Sequence, residues 1–426
     1  MAQSRIWKTL AWHTTPMGVA VHALGITQIV AWGTTLYALA VLGKPIMAET
    51  GWSSTVVFGG LTLGLLISGV ISSWVGRLID RYGAKRMMAA GGVLNALGLA
   101  GLAYATEVAH YYAAWALLGV SMRLTLYDAA FAALVQVTPT KGRRAISYLT
   151  LYGGFASTVF WPIGHLLNEA VGWRETCLIF AALNLLVCAP LNWGGLARRE
   201  PEDTPEAAPD PKVARKAPPP LLEGSAKIWA MVLFSVATSA YAFIFGAAAV
   251  HLVGLIEATG IATAAAVSVA SIKGIAQVGG RLWDIIFCRN MAPLNLARVP
   301  VWLMPVAFVV LMWAGGGLWV AVFFTVLFGA ANGLITIVRG AVPLAMFGAK
   351  GYGEILGILA TPYLLINALS PAAFAIVLDW GGQRAGLWLL FGASLISLLA
   401  MEILTFWYRR HNAAVAARQT DAVTAP

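Results

Sequence analysis

Three cations and one carboxylate stand where a charged side chain is expensive. Arg123 and Asp128 fall within one long apolar run, Lys273 within another and Arg339 within a third. An ionised side chain at the centre of a bilayer costs from about 2.5 kcal/mol upward, so residues kept there are candidates for ligand contact or proton exchange. The positive surplus favours an anionic ligand, with Asp128 or His22 available to exchange a proton. Asp128 follows Arg123 by five residues, about 140° around an ideal helix, so the two are not expected as a same-face pair. Asp128 then either neutralises Arg339 or Lys273 on another helix or serves in proton exchange. Lys273 either binds ligand or snorkels to an interface, and Arg339 has the same two options. Within the first apolar run, His22, Gln28 and Tyr37 are further ligand candidates, beside Trp32. His22 either titrates near neutral pH or is hydrogen-bonded packing.

No catalytic constellation accompanies them. The chain has no Gly-x-x-x-x-Gly-Lys-Ser/Thr loop, no His-Glu-x-x-His and no nucleophile elbow. Cys177, Cys188 and Cys288 are odd in number, lack metal-ligand spacing and read as packing residues. No enzyme activity, cofactor or metal is therefore expected.

The elements that must hold these residues are set by composition. Hydrophobic residues make up 59% of the chain and charged residues 11%, with a mean hydropathy of +0.77, against about 25% charged in a soluble domain. Apolar runs near 20 residues, long enough for a ~30 Å hydrocarbon core, recur along the whole chain. They lie at 18–43, 54–75, 87–105, 110–136, 145–168 and 173–194, then at 228–253, 261–282, 293–315, 318–346, 354–378 and 385–408. The expected class is an all-α integral membrane protein of twelve transmembrane helices. The first run is too long for a signal-peptide core and lacks a clear cleavage site, so it is expected to stay in the mature protein.

Residues 197–227, rich in Pro, Ala and charges of both signs, form a linker with little to bury. It divides the chain into an N-terminal segment of six runs (1–196) and a C-terminal one (228–410), followed by a tail (411–426). The net charge of +10 does not mark a nucleic-acid partner, because the basic residues sit in short loops. Of the 28 Lys and Arg, 22 fall on the side of the linker and both termini, against Lys44, Arg174 and Arg384 on the other. That asymmetry predicts cytoplasmic termini. Two echoes relate the halves. Gly76-Arg-Leu-Ile-Asp80 at the end of the second run matches Gly280-Arg281-Leu-Trp-Asp284 at the end of the eighth, and the segment from Gly172 matches the segment from Gly382.

The stretch Gly76-Arg77-Leu78-Ile79-Asp80-Arg81-Tyr82-Gly83-Ala84-Lys85-Arg86 resembles the cytoplasmic loop signature of the major facilitator superfamily and lies in the matching loop, between the second and third runs. The resemblance implies two pseudo-symmetric six-helix bundles around a central cavity that opens alternately to each side. It implies that Gly76, Asp80, Arg81, Gly83, Lys85 and Arg86, with Gly280, Arg281 and Asp284 in the second copy, govern access rather than bind substrate. It puts spans one, four, seven and ten around the cavity, so Arg123, Asp128 and Arg339 are within reach of substrate. Tyr127, Tyr152 and Trp161 are candidate cavity aromatics. Segments from Trp32, Gly172 and Gly333 look most like the branch of monocarboxylate and oxalate/formate porters. The antiporter signature of span five is mostly missing: Pro162 is kept, but Trp161 and His165 stand where glycines are expected.

The expected function is secondary transport of a small organic anion, proton-coupled or by exchange, by a monomer in the plasma membrane. An efflux pump for drugs or other toxic compounds is the alternative in the same fold. A receptor or intramembrane enzyme would need a signalling domain or a catalytic constellation that the sequence does not offer. Because Asp80 acts on access, Asp80→Asn is expected to slow turnover while leaving equilibrium substrate affinity nearly unchanged. Binding and transport assays on the same preparation check this, and a large affinity loss with normal cycling would refute the role given to the loop.

Overall fold

The computed structural model describes residues 12–201, 221–257, 260–313 and 316–424. The basic anchors Arg5 and Lys8, the middle of the linker with Lys212, Arg215 and Lys216, and the side chain of Arg418 lie outside the described residues. Among the described residues all regular structure is helical. Before the linker run α1 (Pro16–Thr34), α2 (Ala38–Thr50), α3 (Ser54–Val70), α4 (Ser72–Tyr82), α5 (Ala84–Ala103) and α6 (Val108–Thr125). They are followed by α7 (Tyr127–Val137), α8 (Gly142–Gly153), α9 (Ala156–Val171), α10 (Trp173–Leu183), a π-turn (Asn184–Cys188) and α11 (Ala189–Gly195). After the linker come α12 (Gly224–Glu257), α13 (Thr263–Phe287), α14 (Pro293–Trp313), α15 (Leu318–Phe347) and α16 (Tyr352–Thr424).

Among the described residues, eight helices are long and apolar enough to cross a membrane, or nine when α3 and α4, bent by 58°, count as one. The difference from the twelve expected runs has local causes. The fifth run is split at Gly154 and Phe155, so α8 and α9 are each short. In α13 the polar side chains of Lys273 and Gln277 dilute the apolar content. The last two runs are continuous in α16, which turns at Gly382 (φ 64°, ψ −170°) instead of ending in a loop. Only glycine adopts that positive φ without strain.

Close helix packing rests on backbone-to-backbone approach at glycines. A Cβ on Gly119 would stand 2.4 Å from the Gly64 carbonyl oxygen, locking α6 onto α3. Gly329 and Gly333 of α15 meet the carbonyls of Lys273 and Gln277 of α13 at 2.6 and 2.2 Å from where a Cβ would be. Both residue pairs are four apart, so one stripe of small residues sets the register that carries Lys273.

Among the described residues, and apart from contacts at Asp128 and between Arg281 and Thr150, the hydrogen bonds and ion pairs joining the two parts of the chain cluster on the linker face. Asp80 accepts from the amides of Gly353 (3.0 Å) and Glu354 (2.8 Å) at the N-terminus of α16, where the helix dipole favours a carboxylate. Arg77 pairs with Glu354 at 3.4 Å. In the second seam, Arg143 donates to the carbonyls of Cys288 (2.8 Å) and Met291, and Ser147 donates to Asp284 at 2.7 Å. The linker face is shut. An open cleft of about 860 Å³ lies on the opposite face beside α2 and α9, lined by Ala40, Val41, Ser157, Thr158, Trp161, Pro162 and His165.

At Gly76 a Cβ would lie 2.2 Å from the Gly353 carbonyl oxygen across the seam. Gly76→Ala is therefore expected to prise the linker face open while preserving helicity. Spin labels at Arg86 and Arg289 should show longer separations in electron-electron resonance, and an unchanged distribution would show that the seam tolerates the methyl group.

Candidate functional site

The charges within the apolar runs do not behave as an ideal helix predicts; Arg123 and Asp128 are buried and Lys273 and Arg339 partly so. The helix carrying Arg123 and Asp128 breaks at Leu126 (φ −79°, ψ −172°), separating α6 from α7. The break swings the two side chains together, and Arg123 Nη1 donates to Asp128 Oδ2 at 2.7 Å. The expectation that they would not pair is thus corrected: the 140° offset holds only for an unbroken helix. Arg339, from α15, donates to both oxygens of the same carboxylate at 3.2 and 3.4 Å. Asp128 therefore neutralises Arg339 and Arg123 together, and the group keeps one positive charge in excess. Arg123 is only 4% exposed, and its Nε has no hydrogen-bond partner.

Neighbouring side chains hold this group. The Gln28 amide, from α1, donates at 2.6 Å to the carbonyl of Thr125 beside the break, and Trp32 Nε1 donates to Gln28 Oε1 at 3.1 Å. Backbone carbonyls near a helix break need such donors when water is excluded. The Arg339 guanidinium lies 3.7 Å from the ring centroid of Tyr363 on α16, a stacked cation–π contact. Behind it, the Tyr352 hydroxyl donates to the Gly340 carbonyl at 2.6 Å. Rings then run in a row toward the cleft. Phe131 stacks on Tyr127 at 5.3 Å, Tyr127 lies 5.1 Å from Trp32, Trp32 lies 6.0 Å from Tyr37, and Tyr37 meets Trp161 at 6.3 Å.

Lys273 lies apart. Its backbone abuts Gly329, ten residues before Arg339 and so about 15 Å away along α15. Its ammonium lies 5.3 Å from the ring centroid of Phe245 and 5.8 Å from that of Phe328, with no carboxylate in contact among the described residues. His22 is also elsewhere. Its ring bonds to His13 at 2.7 Å and to the Tyr152 hydroxyl at 2.6 Å, so it is not a partner of Asp128.

The sequence put Arg281 in the access loop. In the structure α13 continues past it to Phe287, leaving Arg281 2% exposed. Its Nη1 donates to the Thr150 carbonyl at 2.7 Å, and the Tyr127 hydroxyl donates to that same oxygen at 3.4 Å. Arg281 is thus, with Arg123, one of two fully buried cations among the described residues, and it touches the aromatic row. Its place inside the loop echo hid this, as hydropathy ends the run near residue 282. Tyr363, Phe245 and Phe328 were also missed, because an aromatic in an apolar run carries no signal of what it faces. Of the other loop residues, Gly76, Gly280 and Asp284 are buried as well, whereas Arg81 lies over Tyr82 and Lys85 over Trp193, Asp80 and Arg86 are exposed, and Gly83 makes the turn with φ 85°. All three cysteines are free and buried.

The family description of the Major Facilitator Superfamily matches residues 24–299. The chain is 26% identical to monocarboxylate transporter 3 of Rattus norvegicus over 335 residues, 75% of this chain and 64% of that protein. It is 26% identical to monocarboxylate transporter 11 of Mus musculus over 174 residues, 41% of this chain and 37% of that protein. The matches thus span less than two thirds of either relative. Among solved structures, the human organic anion transporter MFSD10 (TETRAN) superposes with a TM-score of 0.66 at 17% identity, over 90% of this chain and 98% of that one. At that identity the likeness establishes the fold alone.

Asp128→Ala is expected to cost about 3–5 kcal/mol in stability, because it strands two buried guanidiniums. Adding Arg123→Met should restore part of the loss. Thermal unfolding in detergent checks both, and an Asp128→Ala protein as stable as its parent would show that the carboxylate does not hold the group together.

Proposed function

The chain belongs to the Major Facilitator Superfamily, a multi-pass membrane transporter rather than an enzyme, and we propose that it carries a small organic anion of the monocarboxylate type by alternating access. The observation that carries this reading is the charge balance at depth. Asp128 answers two guanidiniums, and among the described residues Lys273 meets aromatic rings and no carboxylate, so an incoming carboxylate gains what this site lacks. Arg339, placed over the Tyr363 ring, presents N–H groups in a fork suited to a carboxylate. Organic anion transport by MFSD10 and monocarboxylate transport by the curated relatives, as their names state, support the same class.

In this reading the chain crosses the membrane twelve times, with α8–α9 and α13 as spans and α16 supplying two. Residues 1–196 and 228–410 form the two six-helix bundles, joined by the linker at 197–227 and followed by the tail at 411–426. The basic residues on the linker face put that face and both termini in the cytoplasm of a cell whose plasma membrane the protein spans. The seams at Asp80 and Asp284 then shut the inner side, and Asp128 is the group through which protons couple, its carboxylate released from one guanidinium when substrate takes its place. The protein acts as a monomer. The efflux alternative draws on the row of rings from Trp161 to Phe131, which suits a bulkier apolar cargo.

Arg339→Gln and Lys273→Gln are each expected to lower uptake of radiolabelled short-chain monocarboxylates into proteoliposomes by about tenfold or more, the factor that corresponds to 1.4 kcal/mol. Insertion should be unaffected. Uptake equal to the parent in both variants would refute the anion cavity.

A further inference from the structure

A second cavity lies on the linker face, away from the central charges. It encloses about 490 Å³, and its lining includes Lys141, Arg143 and Arg144 before the linker and Asp284 and Arg289 after it. Four cations face one carboxylate there. Asp284 is already engaged by the Ser147 hydroxyl at 2.7 Å and by Arg143 at 3.7 Å. Arg143 is spent on that carboxylate and on the Cys288 and Met291 carbonyls, and Lys141 is partly neutralised by Glu200 at 3.2 Å. Arg144 and Arg289 remain. Among the described residues, Arg144 engages Nε alone, donating to the Tyr148 hydroxyl at 2.9 Å, and Arg289 is exposed with no partner. Two guanidiniums with free N–H groups, one from each part of the chain, therefore border a concave site of ordinary ligand size.

We infer that this cavity binds a phosphate-bearing anion, which bridges Arg144 and Arg289 and holds the linker face shut. Guanidinium forks match phosphate oxygens in geometry and charge. The two walls belong to parts of the chain that separate when the linker face opens, so an anion gripping both binds the shut state better and must shift the equilibrium toward it. This effector site is independent of the cargo in the central cavity. The phosphate belongs either to a soluble phosphorylated molecule or to an anionic lipid headgroup at the membrane surface.

The test uses full-length protein carrying Ala40→Cys, an exposed position on the cleft, with the three native cysteines buried. Labelling by an impermeant maleimide in detergent reports opening of that face without any substrate. Replacing chloride by inorganic phosphate at constant ionic strength is expected to raise the labelling rate at least about fivefold, and Arg144→Gln with Arg289→Gln is expected to abolish the rise. Both residues are exposed, and circular dichroism confirms that the variant folds. Repeating the assay in phosphatidylcholine vesicles with and without phosphatidylglycerol separates the sources. A rise with the anionic lipid alone assigns the site to a headgroup, and a rise that needs free phosphate assigns it to a soluble anion. No rise with either probe, or an equal rise in the double variant, overturns the proposal. Loss of anion transport with this effect intact would instead count against the proposed cargo alone.

Discussion

A carboxylate shared by two guanidiniums, away from water, is the interaction on which the centre of this protein depends. An uncompensated charge at such depth costs far more than at a surface, so neither Arg123 nor Arg339 is tolerable without Asp128. Their meeting constrains the backbone. Arg123 reaches Asp128 only because the helix breaks at Leu126, and the carbonyl beside that break is met by Gln28, itself held by Trp32. Four helices, α1, α6, α7 and α15, are thus tied by one polar chain, and the rings around it complete the enclosure.

That chain spans the two parts of the molecule, because Asp128 precedes the linker and Arg339 follows it. In the proposed cycle, a ligand that replaces Asp128 at Arg339 loosens the central tie, and the seams at Asp80 and Asp284 are what must part for the linker face to open. The seams consist of a few charge-assisted bonds to backbone groups and helix ends. Such bonds are directional and would be lost together, which suits the two discrete arrangements that the proposed cycle requires. Glycines such as Gly76 make the seams possible, since any side chain there would hold the backbones apart.

Arg281 links these layers. It sits three residues before Asp284 of the seam and donates to the same Thr150 carbonyl as Tyr127 of the aromatic row. A rearrangement of that row therefore acts on an oxygen that also anchors α13. With its Nε unpartnered and its side chain almost wholly enclosed, Arg281 is costly to place, which fits a residue with a coupling role better than a surface anchor.

From the sequence alone came the solvent, the helical class, the resemblance of the loop at Gly76–Arg86, the pairing of its two copies and the identity of the buried charges. These are legible because hydropathy, charge sign and short spacings are local properties of a chain, and lipid admits few backbone forms. The tertiary structure decided which charges meet. Arg123 pairs with Asp128 through a backbone break that no residue between them announces, Lys273 stands about two helical turns or more from Arg339, and His22 turns to His13 and Tyr152. It also decided that Arg281 belongs to the interior, and that the linker face is shut. Those outcomes depend on how closely helices approach and where they bend, which is settled by contacts between residues far apart in sequence, such as Gly333 against Gln277 and Gly76 against Gly353.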